Sequence, residues 1–399
     1  MKRRTFPWML LLLVAAAALA FTGVSTLRDS FLQSPWEEEV STLPPVTRPA
    51  QLAQAGQLRY HRSNLDEAGQ AAYDAILARL PGFPESVKVE NLGSEAFGQV
   101  FSALALDQPL IFHISTTHYR TRTSPSTGLV TAFVPEYNLD REEYAARCEA
   151  LAAACQAFTV PAGGSDYDIE LALHDQLVRA CAYSEEIELP EKSTAYGALV
   201  EGSASCEGYA RAVQLLMDLH GIPCYIVTGE ASNVSGVTGG HAWNKVRIEG
   251  AWYHLDATWN DPVTEDGSHV TSHAYFNLTD EAIGRTHELT DTRNPCTAAG
   301  ANYFVRKGLE FGALDRAAED TLAKALCANL AAGDNAVELR FTSDAAMEAG
   351  LDYLFGKSQQ RVYRVLSDAA QNGAGIRTDK VFHADLTKQR VVRILPVKK

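Results

Sequence analysis

Three short stretches carry the side chains that could do chemistry. They are Ser-Ala-Ser-Cys-Glu-Gly-Tyr-Ala at 203–210, Gly-His-Ala-Trp-Asn at 240–244 and Trp-Tyr-His-Leu-Asp-Ala-Thr-Trp at 252–259. In chain order they offer a thiol, Cys206, an imidazole, His241, and a carboxylate, Asp256. A thiol becomes a good nucleophile when a base takes its proton. The base works best when a third group fixes its tautomer. The chemistry implied is acyl transfer through a thioester.

The elements around these residues can place them. Tyr209, Val213, Leu216 and Met217 recur at helical spacing after Cys206. Ser203 and Ser205 stand where helix caps stand, and Gly221 and Pro223 stop the pattern. Cys206 therefore begins a helix. The dipole and free N–H groups there favour a thiolate, and the cysteine's own N–H can serve an oxyanion. Gly208 would let a substrate approach the first turn. Cys224 to Gly229 reads as a strand, and Glu230 to Gly240 as a polar loop. His241–Ile248 and Ala251–Thr258 flank Glu249-Gly250, the pattern of a two-residue hairpin. Pairing Ile248 with Ala251 sets His241 opposite Thr258 and Asp256 diagonal to His241, about 7–8 Å away at the backbone. Val246, Ile248, Tyr253 and Leu255 then share one face. Trp243, Trp252 and His254 share the other with the proposed pair. Singly, such a cysteine or histidine is commonly a structural residue. The functional reading rests on three local contexts that agree.

The motifs Cys-Glu-Gly-Tyr-Ala, Gly-Ile-Pro-Cys, Gly-His-Ala-Trp-Asn and Trp-Tyr-His-Leu-Asp-Ala-Thr-Trp resemble the bacterial transglutaminase-like superfamily over roughly residues 165–262. The resemblance implies an α+β, papain-like core in which the cysteine helix packs on an antiparallel sheet bearing the histidine and aspartate. It also implies Cys206 as nucleophile, His241 as general base and acid, and Asp256 as the orienting residue. Glu207 stands where animal cross-linking transglutaminases carry Trp, and no calcium-loop pattern is present. Both points argue against calcium-driven cross-linking. Proteases, peptide N-glycanases, amidases, transglutaminases and inactive members share this core.

The chain has 399 residues and a net charge of −14, which argues against nucleic acid as the partner. Lys2-Arg3-Arg4 followed by an apolar run at 8–21 reads as a secretory signal with Ala18-Leu19-Ala20 at its cleavage site, or as an uncleaved membrane anchor over Phe6–Val24. Either places most of the chain outside the cytoplasm. Six cysteines beyond Cys206 invite a disulfide reading. Cys148 and Cys155 sit about 10 Å apart along one helix, too far to bridge, and buried free thiols are expected instead. No cofactor or metal is expected. There is no phosphate loop, His269 and His273 lie four apart without an acidic motif, and His287 stands alone.

Five regions follow: a signal or anchor at 1–27, a polar, Pro-containing linker at 28–57, an N-terminal α+β region at 58–137, the catalytic core at 138–300 and a small C-terminal α+β domain at 301–399. Helices are expected from Asn64 to Leu80, from Ser94, over Leu139–Phe158, from Ser165 or Asp166 to Tyr183, and over Ala313–Ala332, Ser343–Phe355 and Gln359–Gln371. Strands are expected at Leu110–Ser115, Leu129–Val134 and Val337–Thr342, with a hairpin of Phe382–Leu386 and Arg390–Leu395. Trp243, Trp252 and Trp259 are candidates to line a substrate channel.

The expectation is an exported cysteine enzyme acting on amide bonds of proteins or wall peptides, with hydrolysis favoured over amine transfer. The alternatives are a catalytically inactive surface binding module or a membrane-tethered structural protein.

Overall fold

A computed structural model describes residues 44–186, 189–232, 236–261 and 271–399. The proposed signal or anchor and most of the expected linker lie outside the described residues. No helix among the described residues is long and apolar enough to cross a membrane. The fold is α+β. These residues divide into two compact units, one of 44–228 and 240–245, the other of 229–239 and 246–399.

In the first unit, α1 (Glu67–Arg79) starts where the Asp66 carboxylate accepts the Gly69 N–H at 2.7 Å. Then come β1 (Val87–Leu92), α2 (Ser94–Asp107), β2 (Arg120–Thr123) and β3 (Val130–Val134). The strands pair antiparallel in the order β1-β3-β2. Tyr73, Ile76, Phe97, Val100, Leu104 and Phe133 fill the core between sheet and helices. The stretch 110–115, expected as a strand, is a buried run of turns with bonds from Ile111 N–H to Gln108 and from Ile114 N–H to Ile111. An apolar run of that length reads equally as a strand or as a tightly wound core segment. Residues 44–57 carry buried Val46 and Leu52, and Gly56 N–H donates to Asp218 Oδ2 at 2.7 Å.

The helices α3 (Arg141–Ala157) and α4 (Asp166–Ala180) follow, the second started by a complete Ser165–Asp168 capping box. The short parallel strands β4 (Ala182–Tyr183) and β5 (Ser203–Ala204), with α5 (Ala195–Leu199) between them, lead into α6 (Cys206–Leu219). Then β6 (Cys224–Ser232), β7 (Thr238–Ile248) and β8 (Ala251–Leu255) form a sheet in the order β6-β7-β8.

In the second unit, Glu249 and Gly250 join β7 to β8 with φ of 50° and 87°. This is the two-residue primed turn that matches strand twist. Next come α7 (Asp280–Ile283), α8 (Tyr303–Lys307) and β9 (Glu310–Phe311). The chain continues through α9 (Arg316–Ala331), β10 (Val337–Phe341), α10 (Asp344–Phe355) and α11 (Val362–Gln371) to β11 (Ile376–Leu386) and β12 (Val391–Lys398). The last sheet runs β11-β12-β10-β9, with β9 parallel to β10.

Candidate active site

Cys206 is the first residue of α6. Ser205 is the N-cap by position, but its side chain makes no capping bond. Its N–H and its hydroxyl both reach Lys192 O, at 2.9 and 3.2 Å. The serine therefore anchors the helix start to the 190–194 segment, and the helix N–H groups are left uncapped by it. The Cys206 side chain is half-buried against Leu106, Ala210, Ile226 and Ala242. Asn244 Nδ2 donates to Ala210 O at 2.9 Å, which ties β7 to α6 in the same unit. Farther along the helix, Arg211 pairs with Glu207 at 2.6 Å and donates to Ala105 O.

His241 lies on β7, one residue before Ala242, which packs in the cluster with Cys206. Its ring lies parallel to that of Trp243, with centroids 6.0 Å apart. Trp243 is completely buried, as are Lys245 and His254. Trp243 is therefore packing rather than the wall of an open channel.

Asp256 follows β8 directly and has no exposed side-chain surface. The strand stops at Leu255, so the pairing of His241 with Thr258 expected from an extended hairpin does not continue that far. The chain turns instead, with Asn260 N–H bonding to Asp256 O at 3.3 Å. The other edge of β8 is taken by 275–278, through Asp256 N–H to Tyr275 O at 3.1 Å and the reciprocal His254–Leu278 bonds. Asp256 Oδ1 accepts the Trp259 N–H at 3.1 Å, and Oδ2 lies 3.0 Å from His287 Nε2.

In the sequence His287 stands alone, with nothing beside it to mark a role. It stands 31 residues from its partner and belongs to no motif. Two other expectations also change. Gly208 is small because the backbone crosses it. A Cβ there would meet Lys192 O at 2.4 Å and Thr194 O at 3.1 Å. His273 stacks on Tyr303 at 3.7 Å while its N–H donates to Glu338 Oε2 at 2.8 Å. Its expected partner His269 lies outside the described residues. A groove of about 250 Å³ borders Thr117, His118, Thr194 and Arg211. Arg211 is about 140° round the helix from Cys206, so this groove flanks α6 on another side.

One cluster in the second unit has metal-ligand types. The donor atoms of His254, Asp280 and Cys296 lie within 4.8 Å of one another. The Asp280 carboxylate is already engaged, by His254 Nε2 at 2.8 Å and the Cys296 N–H at 2.9 Å. Among the described residues, which include all seven cysteines, no disulfide is formed.

Residues 150–257, which hold the cysteine at a helix start and the histidine-bearing strand, match the family model "Transglutaminase-like superfamily". The human kyphoscoliosis peptidase is 31% identical over 101 residues, which cover 23% of this chain and 15% of that protein. The mouse protein of the same name is 30% identical over the same shares. The chain thus spans about 15% of the length of these curated relatives. Among solved structures, a transglutaminase ("TGase") aligns with 38% of this chain and 47% of its own, at 15% identity and a TM-score of 0.27.

Proposed function

We propose that this chain is an exported cysteine enzyme of the transglutaminase-like class that opens amide bonds of proteins or peptides, wall peptides among them. The observation that carries this is the position of Cys206. It heads α6, it is partly exposed, and its side chain packs with the strand residue next to His241.

The steps follow from the residue types. His241 takes the thiol proton, and the Cys206 sulfur adds to the amide carbonyl carbon. Oxyanion charge falls to the N–H at the helix start. The C–N bond breaks as His241 returns the proton to the leaving amine, which leaves a thioester on Cys206. Water then attacks and gives a carboxylic acid and the free thiol; a primary amine would give a new amide. Asp256 takes the orienting role that the family resemblance gives it. We favour water as acceptor, because the half-exposed sulfur leaves the thioester open to solvent. Export rests on Lys2-Arg3-Arg4 and the apolar run behind them.

The test is to treat the full chain with an iodoacetamide probe and with peptide amides, in the presence and absence of a primary amine, and to read products by mass. Labelling at Cys206 should vanish in Cys206→Ala and fall at least tenfold in His241→Ala, as expected when a general base is removed. Product masses should show addition of water. Equal labelling of His241→Ala and the parent protein would remove the base from the mechanism.

A further inference from the structure

Asp256 is a carboxylate with no exposed surface, and such a group keeps its charge only when donors surround it. One donor is the Trp259 N–H on Oδ1. The other is a second imidazole, equally buried, on Oδ2. We propose that His287 is a positioning residue for the reaction. It fixes the plane of the Asp256 carboxylate, the orienting group of the proposed reaction. This rests on the assignment of Cys206, His241 and Asp256 above.

The surroundings of His287 suit that task. Its strand segment is bound to the end of β6 by Ser232 N–H to Thr286 O and by Glu288 N–H to Glu230 O, both 2.8 Å. The far ring nitrogen, Nδ1, lies 2.9 Å from Thr286 Oγ1, so the ring is held at both nitrogens. The rings of Trp259 and Tyr275 pack against it at 4.7 and 5.8 Å. A carboxylate pinned at both oxygens cannot rotate, and its remaining lone pairs then point in fixed directions. Supporting groups of this kind hold a reactive constellation in its working geometry.

The experiment compares His287→Leu, His287→Gln and Thr286→Val in the full chain, with His241→Ala as reference. The readouts are the pH profile of Cys206 alkylation by iodoacetamide and the melting temperature. Gln keeps a donor near the Nε2 position, and Leu keeps only volume. His287→Leu should slow alkylation at neutral pH about tenfold and shift the profile, on the scale at which such supporting groups act. His287→Gln should recover most of the rate, and Thr286→Val should fall between. If His287→Leu fails to fold, the Gln and Val variants carry the comparison. If the folded variants keep the parent profile while His241→Ala loses it, His287 is structural and the proposal fails alone. If His241→Ala also keeps the parent profile, the assignment of the triad fails, and this inference with it.

Discussion

At the residue scale, the seven cysteines separate by burial. Burial raises the Cys148 thiol, pushes Cys155 up to about 12 and holds Cys224 well above the ordinary thiol range. Cys206 and Cys327 are the two with partial exposure. Thiolate is the reacting form, so one equivalent of iodoacetamide on the native protein should mark Cys206 first and Cys327 second. Cys148, Cys155 and Cys224 should react only in denaturant. Peptide mapping after a timed quench gives the order. If Cys327 outruns Cys206, no base activates the thiol at the helix start. The helix start at Cys206 and the strand position of His241 were legible because each lies in a short motif whose local geometry can be read from its neighbours. His287 was not. Its chemistry comes from a long-range approach that no periodicity encodes.

At the element scale, α6 was read with correct ends. Its apolar spacing is continuous, and Gly221 and Pro223 stop it. The hairpin turn was legible for a similar reason, since Glu249-Gly250 accepts the positive φ that a two-residue turn needs. The length of β8 differs from the expectation, because the chain turns after Asp256, with Asn260 N–H bonded to Asp256 O, instead of running on to Thr258. Gly208 differs in a more instructive way. Its small size suggests an opening for substrate, yet it is a crossing point for backbone. A Cβ would lie 2.4 Å from Lys192 O, and the same carbonyl holds the N–H and hydroxyl of Ser205. Gly208→Ala must therefore move the 192–194 segment or the start of α6. We expect a loss of about 1–3 kcal/mol, typical of overpacking, together with slower alkylation of Cys206. Urea denaturation and the alkylation rate check both. A variant matching the parent in each would mean that the segment yields without disturbing the helix start.

At the scale of the whole molecule, two buried groups in the first unit make stability depend on pH in opposite senses. Asp218 is pushed up to about 7 by burial, with Asp107 adding and the Gly56 N–H opposing. Unfolded aspartate titrates near about 3.9. Between about pH 4 and 7 the native chain thus keeps a proton that the unfolded chain has released, and stability falls as pH rises through that window. His113 is pushed down to about 3 by burial, with Arg48 adding. Unfolded histidine titrates near about 6.5. Between about pH 3 and 6.5 the unfolded chain holds a proton that the native chain lacks, so stability rises with pH. Each slope is at most about 1.4 kcal/mol per pH unit. They oppose each other between about pH 4 and 6.5, so the slope of the parent protein should lie between those of two variants that each remove one of the groups. Asp218→Asn keeps an oxygen for the Gly56 N–H but removes the falling term. Its urea midpoint should climb with pH across that range and exceed the parent's most clearly at pH 7 and above. His113→Phe keeps a ring among Phe83, Tyr137 and Tyr144 and removes the rising term. Its midpoint should drop with pH, with its largest gain over the parent near pH 4. Asp107, also raised by burial, adds to the falling side and steepens that drop. Midpoints at pH 4, 5.5 and 7 decide the matter. Two variants that both follow the parent's slope would mean that neither group holds its native protonation against its unfolded one.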